Sequence, residues 1–279
     1  MKNNNYLTLS TSFFVLIKRE VFRFLSLYKQ TIIPGVISSA IYMIVFGQAL
    51  GSRFGDKQIP GLEDIPGLDG IDSEFHYMLF IIPGLIMMSV INHAYQNTSS
   101  SLMQAKFLKF LDDILITPLS GLEISIAYII GGALRGVINA ASIIVLSYFI
   151  APEFHIDNYF MTFVYIFIVS WAFSALGLLV GIYAKTWDHI GVFTNFVFMP
   201  LTMLGGIFWT IEMLQNVFLK SISYSNPIYW MIQGLRDSML GIPNNESFSY
   251  LALGISCSFA IVFTIISSYL FSKGHKIKS

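Results

Sequence analysis

The chain has 279 residues, 55% of them hydrophobic and only 11% charged, less than half the charged share of an ordinary soluble domain, and its mean hydropathy is +0.68. That balance speaks against a water-soluble fold, and a formal net charge of zero leaves no global field to draw in nucleic acid or an anionic surface. The single cysteine, Cys257, has no intrachain disulfide partner, and one thiol does not build a metal site.

Residues 1–30 read as a cytoplasmic segment carrying one amphipathic helix over about 11–28. At helical spacing Phe13, Phe14, Ile17, Val21, Phe24, Leu25 and Tyr28 fall within an arc of roughly 120°, while Lys18, Arg19, Arg23 and Lys29 project elsewhere, as in a helix lying at headgroup level. Six apolar runs long enough to cross about 30 Å of hydrocarbon follow, at about 32–50, 77–93, 124–150, 159–183, 190–209 and 250–271. The expected fold is therefore an all-α membrane protein, with a transmembrane domain over 31–272 and a cytoplasmic tail over 273–279. Pro83 and Gly84 interrupt the second run, which a span tolerates where neighbouring helices satisfy the freed carbonyl.

An acidic loop over 51–75, with Asp56, Glu63, Asp64, Asp69, Asp72 and Glu74, separates spans one and two. After span two, Met103, Phe107, Phe110, Leu111, Ile114 and Leu115 recur at spacings of three or four among Lys106, Lys109, Asp112 and Asp113, which predicts a short amphipathic helix over 103–118. Thr117 and Pro118 stop it, and Ser120 with Glu123 has the spacing of a capping box that starts span three. Within span three Arg135 lies on the order of 16 Å from Ile124 at helical rise, on one face with Gly132, Gly136, Asn139 and Ala140. Facing lipid it would cost about 2.5 to 3.5 kcal/mol, so this face packs on another helix as a tether or lines a path as a substrate or gate contact. Gly132 with Gly136 and Gly177 with Gly181 have the spacing of close helix contacts.

Between spans five and six, residues 210–245 are too apolar for a solvated loop and too broken to cross, and read as a re-entrant hairpin of two short helices. Thr210 is placed to cap the first; Asn226 before Pro227 caps the second, which Gly241 and Pro243 end. Lys2, Lys18, Arg19, Arg23, Lys29, Lys106, Lys109, Lys185, Lys273, Lys276 and Lys278 fall on one side of these spans, which makes both termini cytoplasmic.

No Walker A sequence, His-Glu-x-x-His pair or dinucleotide fingerprint occurs, so no catalytic residue, metal site or bound cofactor is expected of this chain. No Asp or Glu lies near the centre of a span, which counts against coupling to an ion gradient.

Lys18-Arg19-Glu20 with Arg23, Gly51-Ser52-Arg53 with Gly55, the run from Phe80 to Ile91 around Pro83-Gly84, and Ala105-Lys106-Phe107 stand in this order along the chain. Thr117-Pro118, Arg135-Gly136, Pro200-Leu201-Thr202 with Gly205-Gly206, and Asn226-Pro227-Ile228 followed by Arg236 complete the series. Together they resemble the ABC-2 type permeases, the integral subunits of bacterial exporters, and in particular a branch of inner-membrane transport permeases. The resemblance implies a homodimer of six-span subunits among the lipids of the bacterial inner membrane, resting on two copies of a cytosolic ABC ATPase that binds the ATP and Mg. It implies outward movement of an amphiphilic, lipid-like, drug-like or glycan substrate.

On the same resemblance Ala105, Lys106, Phe107, Lys109, Asp112, Asp113, Leu115, Thr117 and Pro118 form the element coupled to the ATPase, and Arg19, Glu20 and Arg23 belong to a connecting helix beside it. Lys185 to His189 would make a second contact. Arg135, Asn139, Pro200, Gly205 and Gly206 would line the path or gate, and Asn226, Pro227 and Arg236 the hairpin. The loop from Asp56 to Glu74 is longer than this branch usually has.

Two other classes fit less well. An ion-coupled secondary carrier would set Pro83 and Pro200 in corresponding spans of inverted halves. A membrane-embedded lipid-modifying enzyme would use outer carboxylates with His76 or His155, neither of which has a catalytic spacing.

Overall fold

The computed structural model describes residues 3–54, 73–242 and 246–273, and every regular element among them is helical. Most of the expected acidic loop, from Gly55 to Asp72, the Pro243 stop and the tail from 274 to 279 lie outside the described residues. In chain order the helices are α1 (Asn3–Ser26), α2 (Tyr28–Thr31), α3 (Ile33–Phe54), α4 (Ser73–Phe107), α5 (Phe110–Ile116), α6 (Gly121–Ile150), α7 (Tyr159–Tyr183), α8 (Trp187–Val192), α9 (Met199–Leu204), α10 (Val217–Ser225), α11 (Pro227–Leu240) and α12 (Glu246–Lys273).

Among the described residues five segments are long and apolar enough to cross a membrane: Tyr28–Gly47, Tyr77–Phe107, Gly121–Ile150, Tyr159–Tyr183 and Ser249–Lys273. The run expected to cross at 190–209 is not one of them. It is built as α8, a π-helical stretch at Phe193–Phe198, and α9, and then turns at Gly206 with φ of 79°. Pro200 explains the break: it has no N–H for the Phe196 carbonyl, so the turn before it loosens until Met199 donates to Thr194, five residues back.

The centre of the bundle is α4, the span that Pro83 and Gly84 interrupt. Ile81, Ile82, Ile86, Met87, Val90 and Ile91 are fully buried, and so are Asn97, Thr98 and Ser99 further along, because α3, α6, α7 and α11 pack around it. Close approach makes this possible. A Cβ on Gly132 would sit 2.1 Å from Thr98 Oγ1 and 2.2 Å from Ser174 Oγ, and one on Gly177 would sit 2.4 Å from the Tyr95 carbonyl oxygen. At that seam the Thr98 and Ser174 hydroxyls bond each other at 2.6 Å and Ser174 also donates to the Ile129 carbonyl at 2.8 Å, so three helices share one polar contact.

Local punctuation follows the sequence. The Ser120 hydroxyl accepts from the Glu123 N–H at 3.3 Å while Glu123 Oε2 accepts from the Ser120 N–H at 2.7 Å, closing the capping box at the start of α6. Asn226 caps α11 by accepting from the Ile228 N–H at 3.0 Å, with Pro227 at the first helical position and Gly241 ending the helix at φ of 63°. The cap of α10 is Asn216 rather than Thr210, which opens only a short 3-10 turn at Ile211–Met213.

Candidate functional site

The corner after α4 differs from the single helix expected over 103–118. No glycine or proline lies between Gly84 and Pro118, so α4 runs on through Met103, Ala105, Lys106 and Phe107, and the chain turns only at Lys109, in the left-handed region at φ of 59°. The separate helix is α5 alone, seven residues long. Thr117 ends it by donating its hydroxyl to the Ile114 carbonyl at 2.5 Å before Pro118. Its inner side chains Leu111 and Ile114 are buried with Leu16, Ile124 and Tyr128, and Leu115 packs at the edge of that cluster. Its outer side is bare: Ile116 is 82% exposed with Phe110, Asp112 and Asp113 beside it, and Phe107, at the end of α4, is 74% exposed. Lys106 does not join this surface. Its ammonium donates to the Gly181 and Ile182 carbonyls at 2.7 and 2.5 Å, neutralising the C-terminal end of α7.

The face of α1 also departs from expectation. Leu16, Glu20 and Phe24 form the buried stripe, flanked by half-buried Phe13, Ile17 and Val21, whereas Phe14, Leu25 and Tyr28 remain exposed. Arg19 and Arg23, expected to project away from the bundle, turn into it around Glu20, whose exposure is 0%. Glu20 accepts from Arg19 at 2.7 Å and from the Ser101 hydroxyl at 2.6 Å, and its carboxylate lies 3.6 Å from Arg23 Nε. Arg19 donates onward to the Tyr128 hydroxyl at 3.0 Å, and Arg23 to the carbonyl and side-chain oxygens of Asn97 at 2.8 and 2.9 Å. Burial pulls the Arg23 guanidinium below its ordinary value, and the neighbouring carboxylate works against that pull. The three residues assigned to a connecting helix thus clamp α1 to α4 and α6. The sequence offers only a hint of this in Glu20, a carboxylate next to Arg19 and three residues before Arg23, which does not by itself say that the group is buried.

A second cluster sits at the other end of α4. Arg236 is 1% exposed; it donates to the Gly206 carbonyl at 2.8 Å, to the Phe80 carbonyl at 3.3 Å and to Gln233, and its guanidinium lies 3.8 Å from the centre of the Phe80 ring. Gly84 approaches Ile207, and Asn226 Nδ2 donates to the Leu201 carbonyl at 2.6 Å, so Gly205, Gly206, Asn226, Pro227 and Arg236 form one joint between α4, α9 and α11. Pro200 stands apart on the exposed side of α9. Arg236→Met is expected to lower stability by about 2 kcal/mol, read as the unfolding midpoint in detergent. The lost charge-assisted hydrogen bonds cost more than that, but removing the guanidinium also relieves its own desolvation.

Arg135 and Asn139 do not meet this joint. Arg135 reaches toward the Thr31 carbonyl, and its cleft also holds Gln96 and Ser100, about 24 Å along α4 from Phe80. Asn139 donates back to the Arg135 carbonyl at 2.9 Å and faces Gly35 of α3. The residues expected to line one path therefore occupy two levels. Among the described residues no group of three or more His, Cys, Asp or Glu is placed to hold a metal ion.

The family model described as ABC-2 type transporter matches residues 11–240. Over 261 residues, covering 94% of this chain and 94% of the relative, the sequence is 35% identical to the inner membrane transport permease YadH of Escherichia coli strain K12. The same identity and coverage hold for the proteins of that name in Escherichia coli O157:H7 and Shigella flexneri.

Proposed function

We propose, from the premise that this chain belongs to the ABC-2 type transporter family and is the inner-membrane subunit of an ABC transporter, that it works as the permease half of an exporter. In this reading two copies associate with each other and with two copies of a cytosolic ATPase, and an amphiphilic substrate leaves the cell between them. The observation that carries the coupling role is the shape of α5. Leu111 and Ile114 root it in the bundle core, while Phe107, Phe110 and Ile116 with Asp112 and Asp113 form an apolar and acidic knob that is exposed among the described residues. Such a knob is suited to a socket on a soluble partner, and α1 stands beside it across a cleft lined by Val15, Leu16, Phe110 and Ile114.

Closure of the ATPases on ATP would press the two knobs together. Because α1, α4 and α6 are tied through Glu20, the push moves them as one body, and α4 carries it to the joint at Gly206 and Arg236. This transmission requires both ends of the chain on the cytoplasmic side, as the lysine and arginine distribution supports.

Support for a sixth crossing comes from two tyrosines of α4. Tyr95 donates its hydroxyl to the Ile190 carbonyl at 3.1 Å and Tyr77 to the Phe208 carbonyl at 2.9 Å. The broken segment thereby runs beside α4 for about 27 Å, close to the thickness of the hydrocarbon. On the same view α10 and α11 dip into the outer leaflet, where Val217 and Phe218 meet lipid.

The double charge reversal Asp112→Lys with Asp113→Lys, and separately Ile116→Asp, tests the coupling role. Both changes lie on the bare side of α5, so the permease should still fold, and co-purification of the ATPase should fall by about tenfold or more. Retention of the ATPase together with undiminished export in both variants would refute the role given to α5.

A further inference from the structure

Among the described residues two arginines are buried, Arg135 and Arg236, and they differ in how well they are satisfied. Arg236 has four polar partners, the Phe80, Gly206 and Ile207 carbonyls and Gln233, and an aromatic ring. Arg135, 7% exposed, has one donated contact, to the Thr31 carbonyl at 3.4 Å, and its Nε has no partner. A guanidinium held only as a tether would be expected to collect partners as Arg236 does, since each unsatisfied buried donor carries a desolvation penalty. Arg135 instead borders an open cleft of about 390 Å³, shared with Gln96 and Ser100 of α4 and with Ile190, Gly191, Thr194 and Asn195.

No carboxylate lines that cleft. Glu20 is already engaged by two arginines, and the positive charge of Arg23 acts on Arg135 as well. The cleft therefore carries an excess positive charge lined by uncharged polar side chains. Thr194 and Asn195 come from the π-helical stretch, where the wider turn is a feature common at ligand sites. Gly191 leaves its part of the wall open, since a Cβ there would meet nothing within 4 Å.

We infer that this cleft is an anion site, in which Arg135 receives a phosphate or carboxylate group from the cytoplasmic half of the membrane, the headgroup of an anionic amphiphile or a soluble anion. The inference rests on the exporter reading for its role, as the place where a negatively charged cargo is first held, but not for its chemistry. Charge-assisted, forked hydrogen bonds to such a group would satisfy the guanidinium atoms that the protein leaves unmet.

The test uses the full chain in neutral detergent, exposed to equal amounts of phosphatidylglycerol and phosphatidylcholine, with retained lipid read by native mass spectrometry. The anionic lipid should be retained in preference by about tenfold. Arg135→Gln should abolish the preference and Arg135→Lys should keep part of it. Because Arg135→Gln also removes a buried group, Asn195→Asp serves as the second variant: it places a carboxylate at the exposed edge of the cleft without disturbing the core, and should suppress the preference equally.

Equal retention of the two lipids by the unaltered chain, or a preference that survives both Arg135→Gln and Asn195→Asp, overturns the site. Displacement of the lipid by millimolar inorganic phosphate supports an anion site filled from solution, and resistance to phosphate supports the lipid headgroup. Since the measurement involves neither nucleotide nor the ATPase, a failure of the exporter reading, seen as absence of an associated ATPase, is read separately.

Discussion

Glu20→Gln is expected to destabilise the protein by about 3 kcal/mol and to release α1 from the bundle. Removing one member of a buried ion cluster costs more than the cluster contributes, because the remaining charges keep their desolvation and lose their compensation. Here the remaining charges are two guanidiniums, and the half-buried Arg23 would be left held by Asn97. The partial exposure of Arg19 keeps the figure at the low end of the range for buried pairs. The unfolding midpoint in detergent measures the loss, and faster proteolysis near Leu27 locates it. The double variant Glu20→Gln with Arg23→Gln should recover part of the stability, since it deletes the stranded charge together with its partner. A single variant as stable as the unaltered chain would show that α1 is held by its apolar stripe alone. The functional consequence concerns α5, since Leu16 of α1 packs in the same cluster as Leu111 and Ile114. A released α1 should therefore weaken ATPase association without any change at the contact surface.

Gly177→Val should have the larger effect, a loss of several kcal/mol seen as failure to accumulate folded protein. The obstacle is backbone: the first carbon of any side chain at 177 falls 2.4 Å from the Tyr95 carbonyl oxygen, and no rotamer change moves a carbonyl inside a helix. Separating α7 from α4 to make room would also pull apart the shared hydroxyl contact of Thr98 and Ser174 and leave buried donors unmet. Gly177→Ala carries the same first carbon and should already be strongly destabilising. Gly254→Ala is the matched control, because a Cβ there meets nothing within 4 Å, and in the middle of α12 it should be neutral or stabilising by up to about 1 kcal/mol. Equal folded yields for Gly177→Val and Gly254→Ala would mean that the α4 and α7 seam is looser than described.

These two predictions concern opposite kinds of contact, one polar and one steric, yet both hold α4 in place. In the proposed coupling, motion from the ATPase side reaches the Arg236 joint along this helix, which is held by the glycines that admit α6 and α7 and by the carboxylate that fastens α1.

How much of this was legible beforehand depends on the range of the interaction. Hydropathy over a window, a capping box at Ser120 and Glu123, the Thr117-Pro118 stop and the Asn226-Pro227 start are local properties, and the structure carries the three signals at those residues and a long apolar helix at five of the six hydropathy runs. The all-helical membrane class and the family followed from the same local features in their order. The buried stripe of α1 was not legible, because its key residue is a carboxylate whose partner Ser101 lies 81 positions away and whose neighbour Arg19 reaches Tyr128 across 109. A hydrophobic arc counts Glu20 as solvent-facing until those partners are in place.

For the same reason hydropathy does not single out α4 as the most enclosed span: its polar residues lower the value, and only surrounding helices that accept their hydrogen bonds make Asn97, Thr98 and Ser99 affordable inside. Arg135 and Arg236 look alike as isolated arginines in apolar surroundings. Only the tertiary structure separates the one saturated by backbone carbonyls from the one left facing a cleft, since the energy of a buried charge is set by what the rest of the chain brings to it.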